Sequence, residues 1–190
     1  MSPIDEVARW VDDAVAARVD EPFAMQVATC ADGVPTVRTV LLRGLDERGF
    51  MFVTNLQSTK SRQLAANPSC ALALVWTSLG RQVCVTGRSE RVGDDGVEAY
   101  WQTRPRGHRI AAWSSPQSRV IADRDKLERN VAEVEARFEG TDDIPVPPFW
   151  GGWCVVPATI ELWSRRPNRL HDRIRWRRDD DRWTSELLAP

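Results

Sequence analysis

Three apolar runs joined by turn-sized gaps constrain this chain more than any other feature. "FAMQVATC" (23–30), "PTVRTVLLR" (35–43) and "FMFVTN" (50–55) are separated only by "ADG" with one valine and by "GLDERG". Alternation along a strand puts every second side chain on one face, so each run can bury a face. Gaps this short reverse a chain but cannot carry it across a sheet, which takes about a dozen residues or more. The runs therefore predict an antiparallel meander. "CALALVW" (70–76) and "RQVCVTGRSERV" (81–92) around a "TSLG" turn continue the pattern. "WCVVPATIELWS" (153–164), "RLHDRIRWRR" (169–178) and "RWTSELLAP" (182–190) close it. The expectation is a mainly β (α+β) chain of about eight antiparallel strands in a barrel or sandwich, with three or four helices alongside.

The helices are read from caps and periodicity. Ser2 and Pro3 start one that carries Ile4, Val7, Ala8, Val11, Ala14 and Val15 and ends near Arg18. Ser58 caps a short helix that Asn67 and Pro68 stop. A polar helix covers 94–103. A longer one starts near Asp123 with Leu127, Val131, Val134 and Phe138 at helical intervals. "DDIPVPPFWGGW" (142–153) reads as a Pro/Gly loop rather than a linker, because strand-like sequence follows it.

Totals narrow the function. Lys plus Arg is 26 and Asp plus Glu is 27, a net charge of −1, which argues against a surface built to bind nucleic acid. No apolar run approaches the roughly 20 residues of a membrane helix. The acidic start "MSPIDEVARWVDD" is not a signal peptide, so a cytoplasmic protein is expected. Cys30, Cys70, Cys84 and Cys154 form no CxxC pair and sit in apolar runs; free thiols are expected, and no metal. The 9 tryptophans read first as large core residues, with stacking on a planar ligand left open. GxGxxG, HExxH and GxSxG are absent. "GLDERGF" has P-loop glycine spacing without the lysine.

Four cationic groupings remain. On a regular strand Arg169, His171, Arg173, Arg175 and Arg177 share one face, opposite Leu170, Asp172, Ile174 and Trp176. The row is either a solvated outer strand balanced by Asp179, Asp180 and Asp181 or the wall of an anion site. Arg38 and Arg43 bracket an apolar run, on opposite faces if the strand is regular; arginine forks suit phosphate. Ser58, Thr59 and Lys60 stand at a helix start, an ordinary cap or a phosphate seat. Tyr100 and Arg104 are four apart, on one face at a helix end.

Taken in order, "RTVLLR", "FVTNLQSTK", "RQVCVTGRSERV", "YWQTRPRGHRIAAWSSPQS", "VPPFWGGW", "IELWSRRPNRLHDR" and the terminal "LLAP" resemble the pyridoxine/pyridoxamine 5′-phosphate oxidase family. The resemblance runs from about the first helix to the last residue. It implies an antiparallel split β-barrel, a single FMN-binding domain over 1–190, and a homodimer with FMN at the interface. It implies oxidation of pyridoxine or pyridoxamine 5′-phosphate to pyridoxal 5′-phosphate, hydride passing from substrate C4′ to flavin N5 and O2 becoming H2O2. The partners implied are a phosphorylated B6 vitamer and O2, with no nucleic acid and no membrane.

Roles follow by matched position. Arg38 and Lys60, with Thr59 beside it, would hold the FMN phosphate. The main chain of Thr39, Val40, Leu41 and Leu42 would lie along the flavin. Arg43, Val53, Thr54, Gln82, Gln117, Ser118, Trp163 and Arg173 would complete the cofactor site. Arg43, Tyr100, Arg104 and His108 would meet the substrate phosphate. Arg169 and His171 would flank the reacting carbon as catalytic residues, and Glu21 would lie near the substrate. A cation beside the flavin would stabilise charge developing on reduction. His171 would position substrate or steer a proton, its unperturbed pKa lying near neutrality. The family usually has lysine at Arg43, serine at His108, an aromatic residue at Val53 and arginine at Thr59. Many relatives also carry an N-terminal extension over the substrate, upstream of this start. A sibling flavin oxidase acting on another reduced ring, as in phenazine biosynthesis, and a non-enzymatic flavin- or nucleic-acid-binding barrel stay open alternatives.

Overall fold

A serine–proline start sets the first helix in the computed structural model, which describes residues 2–180 and 182–190. The Asp5 backbone N–H donates to Ser2 Oγ at 3.1 Å and the Ser2 N–H donates to Asp5 Oδ2 at 2.8 Å, a capping box with proline in the first turn. The helix, α1 (Pro3–Ala16), buries Ile4, Val7, Trp10, Val11 and Ala14. Arg81 ties it down, donating to Asp13 Oδ2 at 2.6 Å with its guanidinium 4.9 Å over the Trp10 ring.

Nine strands follow: β1 (Ala24–Ala31), β2 (Val34–Leu41), β3 (Gly44–Asp46), β4 (Gly49–Asn55), β5 (Ser69–Trp76), β6 (Arg81–Arg91), β7 (Trp150–Ser164), β8 (Asp172–Asp179) and β9 (Arg182–Leu187). They form one sheet in the order β2-β1-β5-β6-β7-β4-β3, with β8 added to β7 and β9 to β8. The path runs open from β2 to β3. The pairs β1–β2, β1–β5, β3–β4, β5–β6, β7–β8 and β8–β9 are antiparallel. The mainly β, antiparallel class is as expected. Four further helices are α2 (Thr59–Ala66), α3 (Asp94–Gln102), α4 (Arg106–Ser114) and α5 (Arg124–Arg137).

Two compact units share the chain: one of residues 1–52, 63–90 and 154–190, the other of 53–62 and 91–153. The first holds α1 and most of the sheet. Its core alternates along the strands: Met25 and Val27, Leu72 and Leu74, Val83 and Val85, Ile160 and Leu162 are all buried. β7 passes its neighbours so closely that a β-carbon at Gly49 would meet Val155 O at 2.0 Å and one at Gly87 would meet Val156 O at 2.1 Å. In the second unit tryptophan indoles pin the Pro-rich loop before β7. Trp101 donates to Ile144 O at 2.6 Å and Trp113 to Pro145 O at 2.8 Å. Trp101 is a buried core residue with a polar handle, and Trp113 is half-buried.

Several elements differ from the sequence reading. "GLDERG" is not all turn, since Gly44–Asp46 pairs with β4 as a ninth strand. α4 is a fifth helix, entered from Pro105 and burying Ile110 and Ser114; only Ile110 and Trp113 in it are large and apolar, which hides it in a periodicity count. β8 begins at Asp172, not Arg169, because Pro167 fixes one φ and Asn168 and Arg169 adopt left-handed backbone at φ 56° and 62°. Arg169 and His171 therefore do not continue the strand face of Arg173. Arg43 lies beyond the end of β2, with its N–H donating to Met51 O at 2.8 Å, so strand alternation does not relate it to Arg38. α3 stops at Gln102, which leaves Arg104 past the helix. Asp181, expected to help balance the β8 arginines, lies outside the described residues.

Candidate active site

Arg38 is the best-defined element of the first unit. The β1–β2 register sets Thr29 opposite Thr36 and Val27 opposite Arg38, which gathers their side chains on one face. The Arg38 guanidinium donates to Thr29 Oγ1 at 2.6 Å, Val27 O at 3.0 Å, Gln63 Oε1 at 3.3 Å and the Thr36 hydroxyl. Gln63 Oε1 also accepts from Thr29 at 2.6 Å and Thr36 at 2.9 Å. Every one of these acceptors is neutral, and among the described residues Arg38 forms no ion pair. Burial lowers its pKa from the usual arginine value, yet the group stays charged at any physiological pH. The result is a positioned cation with its charge uncompensated, which is the chemistry a phosphate needs.

The β8 arginines are held differently. Arg173 donates from Nε and Nη2 to the two carboxylate oxygens of Glu161 at 2.8 and 3.1 Å, and from Nη1 to Ala189 O at 3.0 Å. Arg175 and Arg177 both donate to Glu186 Oε1, at 2.6 and 2.7 Å. Ahead of them, Trp163 and His171 have ring centroids 4.5 Å apart at 48°. The Arg166 backbone N–H donates to His171 Nδ1 at 3.1 Å. Nδ1 is thus the acceptor, and the neutral ring carries its proton on Nε2.

In the second unit Lys60 is 9% exposed at the start of α2. Its ammonium donates to Gln117 Oε1 at 2.8 Å, Thr54 Oγ1 at 3.0 Å and Ser58 Oγ at 3.4 Å, and Thr54 Oγ1 donates to Gln117 Oε1 at 3.0 Å. Ser58 also caps the helix, accepting from the Ser61 N–H at 3.4 Å. Beside this cluster is a cavity of about 290 Å³ lined by Val53, Thr54, Asn55, Arg104, Ala111, Ala112, Ser115, Gln117 and Trp150. Arg104 lies 4.8 Å over the Trp150 ring, and Tyr100 stacks on the same ring at 6.1 Å and 12°.

The structure thus groups Val53, Thr54, Lys60, Gln117 and Arg104, with Tyr100 one ring away. It does not bring every expected residue into these groups. His108 is exposed on α4 and meets Arg104 through its carbonyl, which accepts from Arg104 Nη2 at 2.9 Å. Thr59 Oγ1 accepts from Arg62 at 3.4 Å, and Gln82 donates to Cys84 Sγ at 3.1 Å. Glu21 and Ser118 are exposed with left-handed backbone, at φ 47° and 69°. Thr39 and Val40 sit opposite Gln26 and Met25, and Leu42 is buried just past β2. Sequence reasoning missed Thr29, Thr36 and Gln63 as the holders of Arg38. The two threonines were findable by pairing the strands across the "ADG" turn. Gln63 was not, because it comes from another element.

All four cysteines are free, and burial pushes Cys70 and Cys154 up to about 11, so both are protonated at neutral pH. Among the described residues no helix is long and apolar enough to cross a membrane.

Comparison with known proteins adds to this geometry. The family description "Pyridoxamine 5′-phosphate oxidase" matches residues 11–138. "Pyridoxine 5′-phosphate oxidase C-terminal dimerisation region" matches 150–190. A pyridoxine/pyridoxamine 5′-phosphate oxidase of Pseudomonas paraeruginosa is 51% identical over 99% of this chain and 88% of its own. One from Salinibacter ruber is 48% identical over 99% and 89%. Among solved structures, PhzG from Burkholderia lata, in complex with tetrahydrophenazine-1-carboxylic acid, superposes with a TM-score of 0.92 at 30% identity, covering 100% of this chain and 93% of that one. A pyridoxamine 5′-phosphate oxidase-related, FMN-binding protein from Nostoc punctiforme gives 0.79 at 20% identity, over 100% and 99%, a likeness of fold.

Proposed function

Because the chain belongs to the pyridoxamine 5′-phosphate oxidase family, we propose that it is an FMN-dependent oxidase of pyridoxine and pyridoxamine 5′-phosphates. The observation that carries this reading is Arg38: a fixed guanidinium surrounded by neutral acceptors is built to receive an anion, and the FMN phosphate is that anion. Lys60, held by Thr54, Ser58 and Gln117, would add a second cation to the cofactor's phosphate. The main chain of Thr39 to Leu42, with Arg43, Gln82, Ser118, Trp163 and Arg173, would contact the flavin. The chemistry a bound FMN supplies is acceptance of a hydride from substrate C4′ and return of the electrons to O2 as H2O2.

The chain's own task is then to hold and orient. Tyr100 and Arg104, gathered on Trp150, would receive the substrate phosphate, with Arg43, His108 and Glu21 contributing around the substrate. Arg169 would lie against the reacting ring. His171, a donor at Nε2 by virtue of its Nδ1 bond, would fix a substrate oxygen. The family's C-terminal dimerisation region, matched at 150–190, supports a homodimer with FMN at its interface. Residues 1–190 would act as one FMN-binding domain, with the cytoplasm as its place of work.

The test is a turnover assay. Purified protein loaded with FMN should give a flavin spectrum and convert pyridoxine 5′-phosphate with O2 into pyridoxal 5′-phosphate and H2O2. A protein that takes up no flavin sinks the reading. The likeness to PhzG favours one second reading, oxidation of a reduced tricyclic ring. Bound flavin that stays oxidised with B6 phosphates but is bleached by tetrahydrophenazine-1-carboxylic acid would establish it.

A further inference from the structure

Asn168 and Arg169 are consecutive residues in the left-handed region, at φ 56° and 62°. Among the described residues no other two adjacent non-glycine residues share that conformation. Asp32 stands in the turn between β1 and β2, Asp180 follows β8, and Arg18 follows α1, places where left-handed backbone is usual. The pair at 168–169 lies inside the longer 165–171 loop that joins the antiparallel strands β7 and β8, and it caps no α-helix.

A β-carbon crowds the backbone in this region, so arginine is disfavoured there, while asparagine is among the residues that enter it readily. Asn168 is exposed, so packing does not select it. The turn it permits is tightly tied. Pro167 precedes it, and the Leu170 N–H donates to Pro167 O at 3.2 Å. The reversed chain brings the Arg166 N–H to His171 Nδ1 at 3.1 Å, and Arg166 Nε donates to Asp172 Oδ2 at 2.6 Å. Strain of this kind persists where the surroundings over-determine it, and it concentrates at functional sites.

We propose that Asn168 is a positioning residue for Arg169 and His171: its acceptance of left-handed backbone sets the turn from which Arg169 projects and which fixes the His171 ring. The proposal rests on the function proposed above, in which those two residues face the reacting carbon. Asn168 itself touches nothing that reacts.

The experiment compares Asn168→Val and Asn168→Gly with the parent as FMN-loaded, full-length proteins. Valine fits left-handed backbone worst, and glycine enters it freely. The first readout is nitrogen NMR of the imidazoles, which are only 2 in this chain. The parent and Asn168→Gly should show His171 with Nδ1 as a fixed acceptor, and Asn168→Val a tautomer-averaged ring. The second is turnover of pyridoxine 5′-phosphate. kcat/KM should fall about tenfold in Asn168→Val and stay within about twofold in Asn168→Gly, with FMN content and Tm alike in all three. An unchanged His171 ring in Asn168→Val overturns the proposal. So does a glycine variant as impaired as the valine one, or a valine variant that loses FMN and melts early in step with its activity. If the parent turns over no B6 phosphate, the functional reading fails, and the imidazole comparison still decides what Asn168 does.

Discussion

Arg38 on β2 and Arg173 on β8 belong to the same sheet and are held in opposite ways. Arg38 meets two hydroxyls, a carbonyl and an amide oxygen. Arg173 meets a carboxylate at two points. Glu161 raises the pKa of Arg173, whereas burial among neutral groups lowers that of Arg38. A positive charge already neutralised fastens one piece of chain to another; one left unneutralised attracts an outside anion. The number of arginines in a segment therefore says little, and the partners of each say a great deal. The conspicuous row at 173–177 is largely engaged by Glu161 and Glu186, and the lone Arg38 carries the stronger binding signal.

The sharpest way to break this contrast is to delete each cation in turn. Arg38→Met should weaken FMN binding about a hundredfold, because a charge-assisted hydrogen bond to phosphate is lost while the remaining groups still bond one another. Arg177→Met should change it by less than about twofold. A fluorescence titration of FMN measures both, and equal effects would end the distinction.

Next in size is conversion of one type into the other. Gln63 Oε1 accepts from Arg38, Thr29 and Thr36. Gln63→Glu places a carboxylate where only neutral oxygens stood, so Arg38 becomes compensated as Arg173 is. FMN affinity should fall about tenfold, with the protein no less stable. Unchanged affinity in that titration would mean that compensation is not what separates the two arginines.

The reverse conversion is smaller. Glu161→Gln removes the partner of Arg173 at the β7–β8 seam, where Trp163 and Arg173 are paired in register. Thermal melting should show a loss of only about one or two degrees, because Arg173 lies in reach of solvent. FMN affinity should move less than in Gln63→Glu.

The contrast also marks how far sequence carries the site. The antiparallel order was legible because the gaps at "ADG" and "TSLG" admit nothing else. So was the Ser2 cap, a purely local device. The cation at Lys60 was named from its place at a helix start, but its ties to Thr54 and Gln117 span the sequence and leave no periodic trace. The face shared by Arg169 and His171 with Arg173 was misread for a related reason: alternation assumes extended backbone, and the left-handed pair at 168–169 ends it. What sequence hides here is the partner of each charge, which is the property that separates a binding arginine from a structural one.

Glu186 offers the smallest and most specific test. Its carboxylate accepts from Arg177 and Arg175, which hold its pKa below the ordinary 4.5. A folded-state pKa below the unfolded one means that the stabilisation is fully present above the unfolded value and is lost as pH falls through the folded one. Glu186→Gln should therefore melt slightly below the parent at neutral pH, with the gap closing as pH drops beneath about 4.5 and narrowing in high salt as exposed pairs are screened. Melting curves across that range read it directly. FMN affinity should not move, since Arg175 and Arg177 are engaged by Glu186 on the strand beside them; a flavin affinity that tracked the titration of Glu186 would bring Arg175 and Arg177 into the binding site beside Arg173.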